Sequence, residues 1–197
     1  VEGEAFLEGQ IEVVGPVEAQ PELVERIEGI GRVGARGDFV GYGPFPEQTV
    51  QRLQDAAGLC IRGNYDRKVL AVPQKKKKWK HSKAPRKYVA FRWAYESLSP
   101  ASRQYLASLP DTARGEAGDL RVLLCHGSPE ADDEALTDET PAARLEALAA
   151  GADADLVACG HTHQPMRRRA GHAWFVNPGS IGRPEGGDGR ACYALLD

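Results

Sequence analysis

The chain has 197 residues, 42% of them hydrophobic and 27% charged, and a formal net charge of −3. This is enough for one domain with a buried core, and it excludes a wholly disordered chain. No apolar run approaches the roughly 18 residues of a membrane span, and no basic region followed by an apolar stretch opens the chain. The sequence therefore predicts a cytoplasmic protein with no membrane attachment.

In chain order, strand-length apolar runs fall at residues 11–14, 59–61, 120–124, 156–159, 173–176 and 192–195. Stretches of helical period alternate with them. Val50, Leu53 and Ala57 mark one helical face, and Tyr88, Phe91, Tyr95 and Leu98 mark another. Ser99-Pro100 and Thr140-Pro141 read as helix starts, with Gly151 suited to end the second helix. Residues 166–169, 173–176 and 192–195 are short and turn-separated, as in an antiparallel group. The alternation predicts an α/β protein with mixed β-sheets flanked by helices, folded as one domain over residues 1–197.

Charge is unevenly spread. Residues 67–92 hold eleven Lys or Arg and no acid, whereas residues 1–30 hold eight Glu against Arg26 alone. The basic segment contains Pro73, Pro85 and the run Lys75-Lys76-Lys77-Lys78, and reads as an exposed loop within a basic loop and helix insertion over residues 67–92. It offers phosphate contacts to a nucleic acid, with Trp79, Tyr88 and Trp93 as stacking surfaces; the plainer reading is a solvated face. Cys60, Cys125, Cys159 and Cys192 form no C-x-x-C pair and sit in or beside apolar runs, as buried reduced thiols do. His81 and His172 fall in no ligand motif and read as surface residues.

Four motifs follow strand-like runs: Gly37-Asp38, Gly63-Asn64-Tyr65-Asp66, Cys125-His126-Gly127 and Gly160-His161-Thr162-His163. Open α/β sheets place ligands beyond the carboxyl ends of their strands, and the glycines allow sharp turns there. A carboxylate, an amide oxygen and three imidazoles suit a divalent first-row metal such as Mn, Fe, Ni or Zn. Each motif alone also fits a structural turn. The segment P-G-S-I-G lacks the first glycine of a nucleophile elbow, and neither a Walker A loop nor H-E-x-x-H occurs.

In order and spacing these motifs, with GDFVGYGPFP, LSPASRQYLASLP, LLCHGSP, CGHTHQP and VNPGSIGRP, resemble the calcineurin-like metallophosphoesterases, in particular their small bacterial phosphodiesterase branch. The resemblance covers roughly residues 37–197. It implies the layered metallophosphoesterase fold and a phosphodiesterase with one or two divalent metals, in which a metal-bound hydroxide attacks phosphorus. Carried over by motif, Asp38 bridges both metals, Asn64, His126 and His161 complete one position, and His163 serves the other. Asp38, Asn64, Tyr65 and Asp66 form the catalytic group, and Asn177 and Ser180 contact substrate.

The sequence departs from the family at two points. No D-x-H occurs anywhere; the family's usual interval before G-D falls on Glu8-Gly9-Gln10-Ile11-Glu12, inside an atypical stretch of residues 1–36. Loss of one metal position, replacement by Glu8 or Glu12, and a shifted reading frame upstream of Gly37 are competing explanations. Tyr65 stands where many relatives carry a histidine thought to protonate the leaving group, and an ordinary tyrosine pKa of about 10 makes it a weaker acid. The competing function is a non-catalytic binding module on the same fold, as in the metallophosphoesterase-like subunit of retromer. A nucleic acid binder using the lysine segment is the third.

Overall fold

The computed structural model describes residues 11–17, 34–55, 58–183, 185 and 191–196. They fall into two compact units: residues 32–113, and residues 114–197 together with the chain's first 31 residues.

In the unit of residues 32–113, which follows β1 (Ile11–Val17) in the chain, two short parallel strands pair, β2 (Gly34–Arg36) with β3 (Leu59–Ile61). Five helices surround them: α1 (Pro46–Asp55), α2 (Asn64–Leu70), α3 (Val72–Ser82), α4 (Pro85–Ser97) and α5 (Pro100–Ser108). Val40, Val50, Cys60, Val69, Phe91, Leu98 and Leu106 form the core between them. Of the expected stripe, Phe91 and Leu98 are buried, Leu98 at the C-cap of α4, and Tyr88 and Tyr95 are half-buried; Ala94 turns inward beside them. Ser99 caps α5 as its sequence suggests, its Oγ accepting from the Ser102 N–H. Ala57 lies outside the described residues, so its place in the α1 face is not assigned.

The basic segment is helical, which corrects the expectation of a loop. Pro73 and Pro85 each sit in the first turn of a helix, where proline's missing N–H costs nothing, so they start α3 and α4. Lysine is also a good helix former, and Lys75 through Lys78 remain exposed on α3.

In the other unit, β4 (Thr112–Ala117), β5 (Leu120–Cys125), β6 (Leu156–Ala158), β7 (Pro165–Ala170) and β8 (Ala173–Pro178) form a sheet in the order β4-β5-β6-β8-β7; the division between the units falls early in β4. β5, β6 and β8 run parallel, and β7 is antiparallel to β8, giving the expected mixed sheet. Side chains alternate across it with the period of two that a strand imposes. Leu123, Val157 and Phe175 pack with Leu145 and Leu148 of α6 (Ala142–Ala152). Leu156, Trp174 and Val176 point to the opposite face, toward Ala194. Ala194 belongs to β9 (Ala191–Leu196), which pairs antiparallel with β1 (Ile11–Val17). Helix, sheet and ribbon are thus three layers. All four cysteines are buried and unbridged.

The ends of α6 differ from expectation. The helix begins at Ala142 with Pro141 as N-cap, because the Thr140 hydroxyl instead accepts from the Thr137 N–H. Gly151 stays inside the helix, and Asp153 takes the left-handed cap at φ 44°. Arg114 donates to the carbonyls of Ala152 and Asp153, satisfying acceptors that a helix end leaves open.

Candidate functional site

The motif residues divide between the two units. Asp38, Asn64, Tyr65 and Asp66 lie just beyond the carboxyl ends of β2 and β3. His126, His161, His163, Asn177 and Ser180 lie at the carboxyl ends of β5, β6 and β8.

In the first group two loops come so close that only glycine fits. A Cβ on Gly37 would fall 2.2 Å from the Gly63 nitrogen, and one on Gly63 would fall 2.3 Å from Asp38 Oδ1. The Asp66 carboxylate ties the loops together, accepting from the N–H groups of Asp38 (2.8 Å), Gly63 (2.9 Å) and Val40 (3.1 Å). Full burial lifts the Asp66 pKa to about 7; the Gly63 N–H pulls the other way, and the neighbouring Asp38 charge adds to the rise. Asp66 therefore holds the loops in place from beneath, with its oxygens committed to backbone donors.

Asp38 Oδ1 accepts from the Tyr65 N–H at 2.7 Å, and Asn64 Oδ1 accepts from Lys68 Nζ at 3.1 Å. Lys68 also lies 4.7 Å from the Tyr65 ring centre. Burial lowers the Lys68 pKa, and the Asp38 charge opposes that fall. Tyr65 packs edge-on against Tyr42 and tilted against Phe91, and the Tyr65 and Tyr42 hydroxyls are 3.1 Å apart. Lys68 escaped the sequence reading. Its only signal was a position one helical turn after Asn64, where side chains share a face.

In the second group His126 is buried, and its ring meets that of His161 edge-on with centroids 5.3 Å apart. The Gly160 N–H donates to the His126 carbonyl, anchoring one loop to the other. His163 Nδ1 lies 2.7 Å from the Arg183 carbonyl oxygen. A carbonyl can only accept, so Nδ1 donates, which in the neutral ring leaves Nε2 as the acceptor. This is the arrangement by which a backbone carbonyl fixes a metal-ligating imidazole.

Asn177, expected at the substrate, is instead fully buried. Its Nδ2 donates to the Gly160 carbonyl and to Thr162 Oγ1, and its Oδ1 accepts from the Gly179 N–H. It props the loop that carries His161 and His163. Ser180 is half-buried, and its Oγ accepts from the Arg183 N–H.

Among the described residues of either unit, no three His, Cys, Asp or Glu side chains converge as a complete metal cage. The oxygens of Asp38 and Asn64 in the one unit, and the imidazoles of His126, His161 and His163 in the other, are each donor types that suit a divalent first-row cation.

The parallel strands with polar loops at their carboxyl ends define a layered α/β protein of metallophosphoesterase type. The chain belongs to the calcineurin-like phosphoesterase superfamily, whose domain model matches residues 16–197. It is 24% identical over 213 residues to the uncharacterized protein MJ0912 of Methanocaldococcus jannaschii, covering 98% of this chain and 84% of that protein. The crystal structure of a metallophosphoesterase from Sphaerobacter thermophilus is similar at a TM-score of 0.66 and 25% identity, covering 89% of this chain and 77% of that one. The hypothetical protein PH1004 of Pyrococcus horikoshii shares the fold at a TM-score of 0.72 and 21% identity, covering 89% and 79%.

Proposed function

We propose that this chain is a metal-dependent phosphodiesterase whose donor set is Asp38, Asn64, His126, His161 and His163. The observation that carries the reading is backbone conformation. Among the described residues four non-glycine positions have positive φ, and three of them are Asp38 (57°), His161 (67°) and His163 (60°). Aspartate and histidine tolerate this region better than most residues, but at a cost, and such positions cluster where a loop is shaped to present a functional group.

A bound divalent cation would supply charge that polarises a phosphoryl group and acidifies water. The protein's own contribution is positioning. Asp66 and the two glycines fix Asp38 against the N-terminus of α2, Asn177 fixes the loop of His161 and His163, and Lys68 adds a positive charge near Asn64 for a phosphate oxygen. Tyr65, its hydroxyl within hydrogen-bond distance of that of Tyr42, shapes the rim there. Mn, Fe, Ni and Zn all suit the donors. The exposed lysines of α3 offer an anionic substrate further attraction.

Two observations favour the binding-module reading: the sequence has no D-x-H, and Lys68 holds the oxygen of Asn64. Titrating the purified chain with Mn, Zn and Ni by calorimetry separates the two readings. Binding that is lost in His161→Ala, together with phosphodiester turnover, supports the enzyme; a folded chain that binds no metal and turns nothing over supports the module. Among the described residues, no helix is long and apolar enough to cross a membrane.

A further inference from the structure

Helix α4 carries apolar side chains on two faces. Phe91 and Ala94 enter the core, whereas Val89 and Trp93, one turn apart, are 62% and 54% exposed. Solvent-facing Trp and Val on the same helical stripe contribute little to folding, and they form one wall of an open groove of about 610 Å³. Tyr42, Pro44, Pro85 and Arg86 also line the groove. The volume falls within the range of small-molecule sites, and the lining is almost wholly apolar.

Through Tyr42 the groove borders residues of the proposed phosphate site in the same unit. Tyr42 lines it and places its hydroxyl 3.1 Å from that of Tyr65, the residue after Asn64. Tyr65 in turn donates its backbone N–H to Asp38. Tyr42 lies four positions after Asp38, so their Cα atoms are at most about 14 Å apart. A single small molecule can span that distance.

We propose that this groove is the subsite for a planar aromatic ester group of the phosphodiester substrate, with its phosphoryl group at Asp38, Asn64 and Lys68. This rests on the phosphodiesterase reading and narrows its substrate class. The Trp93 indole and Tyr42 phenol favour a flat partner, because aromatic pairs gain from offset and edge-on contact beyond simple burial. The Arg86 guanidinium adds a cation that stacks on aromatic faces.

The test uses phenylphosphonate and methylphosphonate, whose P–C bonds keep the ligand intact, titrated into the Mn-loaded full chain by calorimetry. Hydrolysis of bis(p-nitrophenyl) phosphate is measured separately. The wild-type chain should bind the phenyl compound about tenfold more tightly than the methyl one. That preference should collapse in both Trp93→Ala and Val89→Asp, exposed positions where folding is checked by circular dichroism. Equal binding of the two phosphonates, binding of neither, or a preference that survives both substitutions overturns the subsite. A phenyl preference lost in the variants without any hydrolysis keeps the subsite and removes the phosphodiesterase reading.

Discussion

Lys68 Nζ donates to the Asn64 amide oxygen across 3.1 Å, and metal ligation through Asn64 would use that same oxygen. Like charges a few ångströms apart repel by several kcal/mol at an effective dielectric of about 20. Lys68→Met should therefore tighten Mn binding by about tenfold or more, read as the calorimetric Kd. Weaker binding in the variant would assign Lys68 a supporting role toward the metal instead.

Asp66 makes no contact with substrate in this account, yet both loops depend on it. Asparagine keeps the shape but replaces one acceptor oxygen with an NH2 that faces a backbone N–H. With three buried donors relying on that carboxylate, Asp66→Asn should cost about 2–3 kcal/mol in urea unfolding and weaken metal binding with it. An unchanged unfolding midpoint would contradict the role given to Asp66.

The approach of Gly63 to Asp38 leaves no space for a methyl group. Gly63→Ala must push the loops apart, at a cost of roughly 1–3 kcal/mol, and it should lower metal affinity more than a surface substitution of equal stability cost. Gly43→Ala separates backbone strain from crowding: Gly43, unlike Gly63, has positive φ, yet no atom lies within 4 Å of its added Cβ.

Much of this was legible in the chain, and the reasons differ by residue. Cys125-His126 and Gly160-His161 stand out because polar groups follow apolar runs, and the α4 stripe because its spacing is helical. Lys68 was hidden among ten other basic residues, since choosing it requires knowing that α2 begins at Asn64. Asn177 looked like a rim residue because its sequence resembles a turn; its burial follows from the way β8 passes beneath the histidine loop. The β1–β9 pairing joins residues far apart in the sequence, and strand propensity names no partner. In α3 and α4 proline read as a loop signal, although in the first turn it starts a helix.

Acid should weaken the second unit through Asp155. Its carboxylate pairs with the Arg121 guanidinium and accepts from the Arg121 N–H, and the guanidinium holds its pKa down at about 2. A depressed carboxylate pKa contributes stability that is present above the unfolded value, ordinarily about 3.9, and is lost as pH falls through the folded one. Urea midpoints should therefore decline between about pH 4 and pH 2, and Asp155→Asn should flatten that decline. Equal slopes for the two chains would remove Asp155 as its cause.

The most direct test of the central claim measures metal content together with Mn-stimulated hydrolysis of bis(p-nitrophenyl) phosphate by the purified chain and its Asp38→Ala variant. The account predicts at least one bound metal per chain and turnover that the variant loses. A correctly folded chain that holds no metal and shows no turnover above the variant would contradict it.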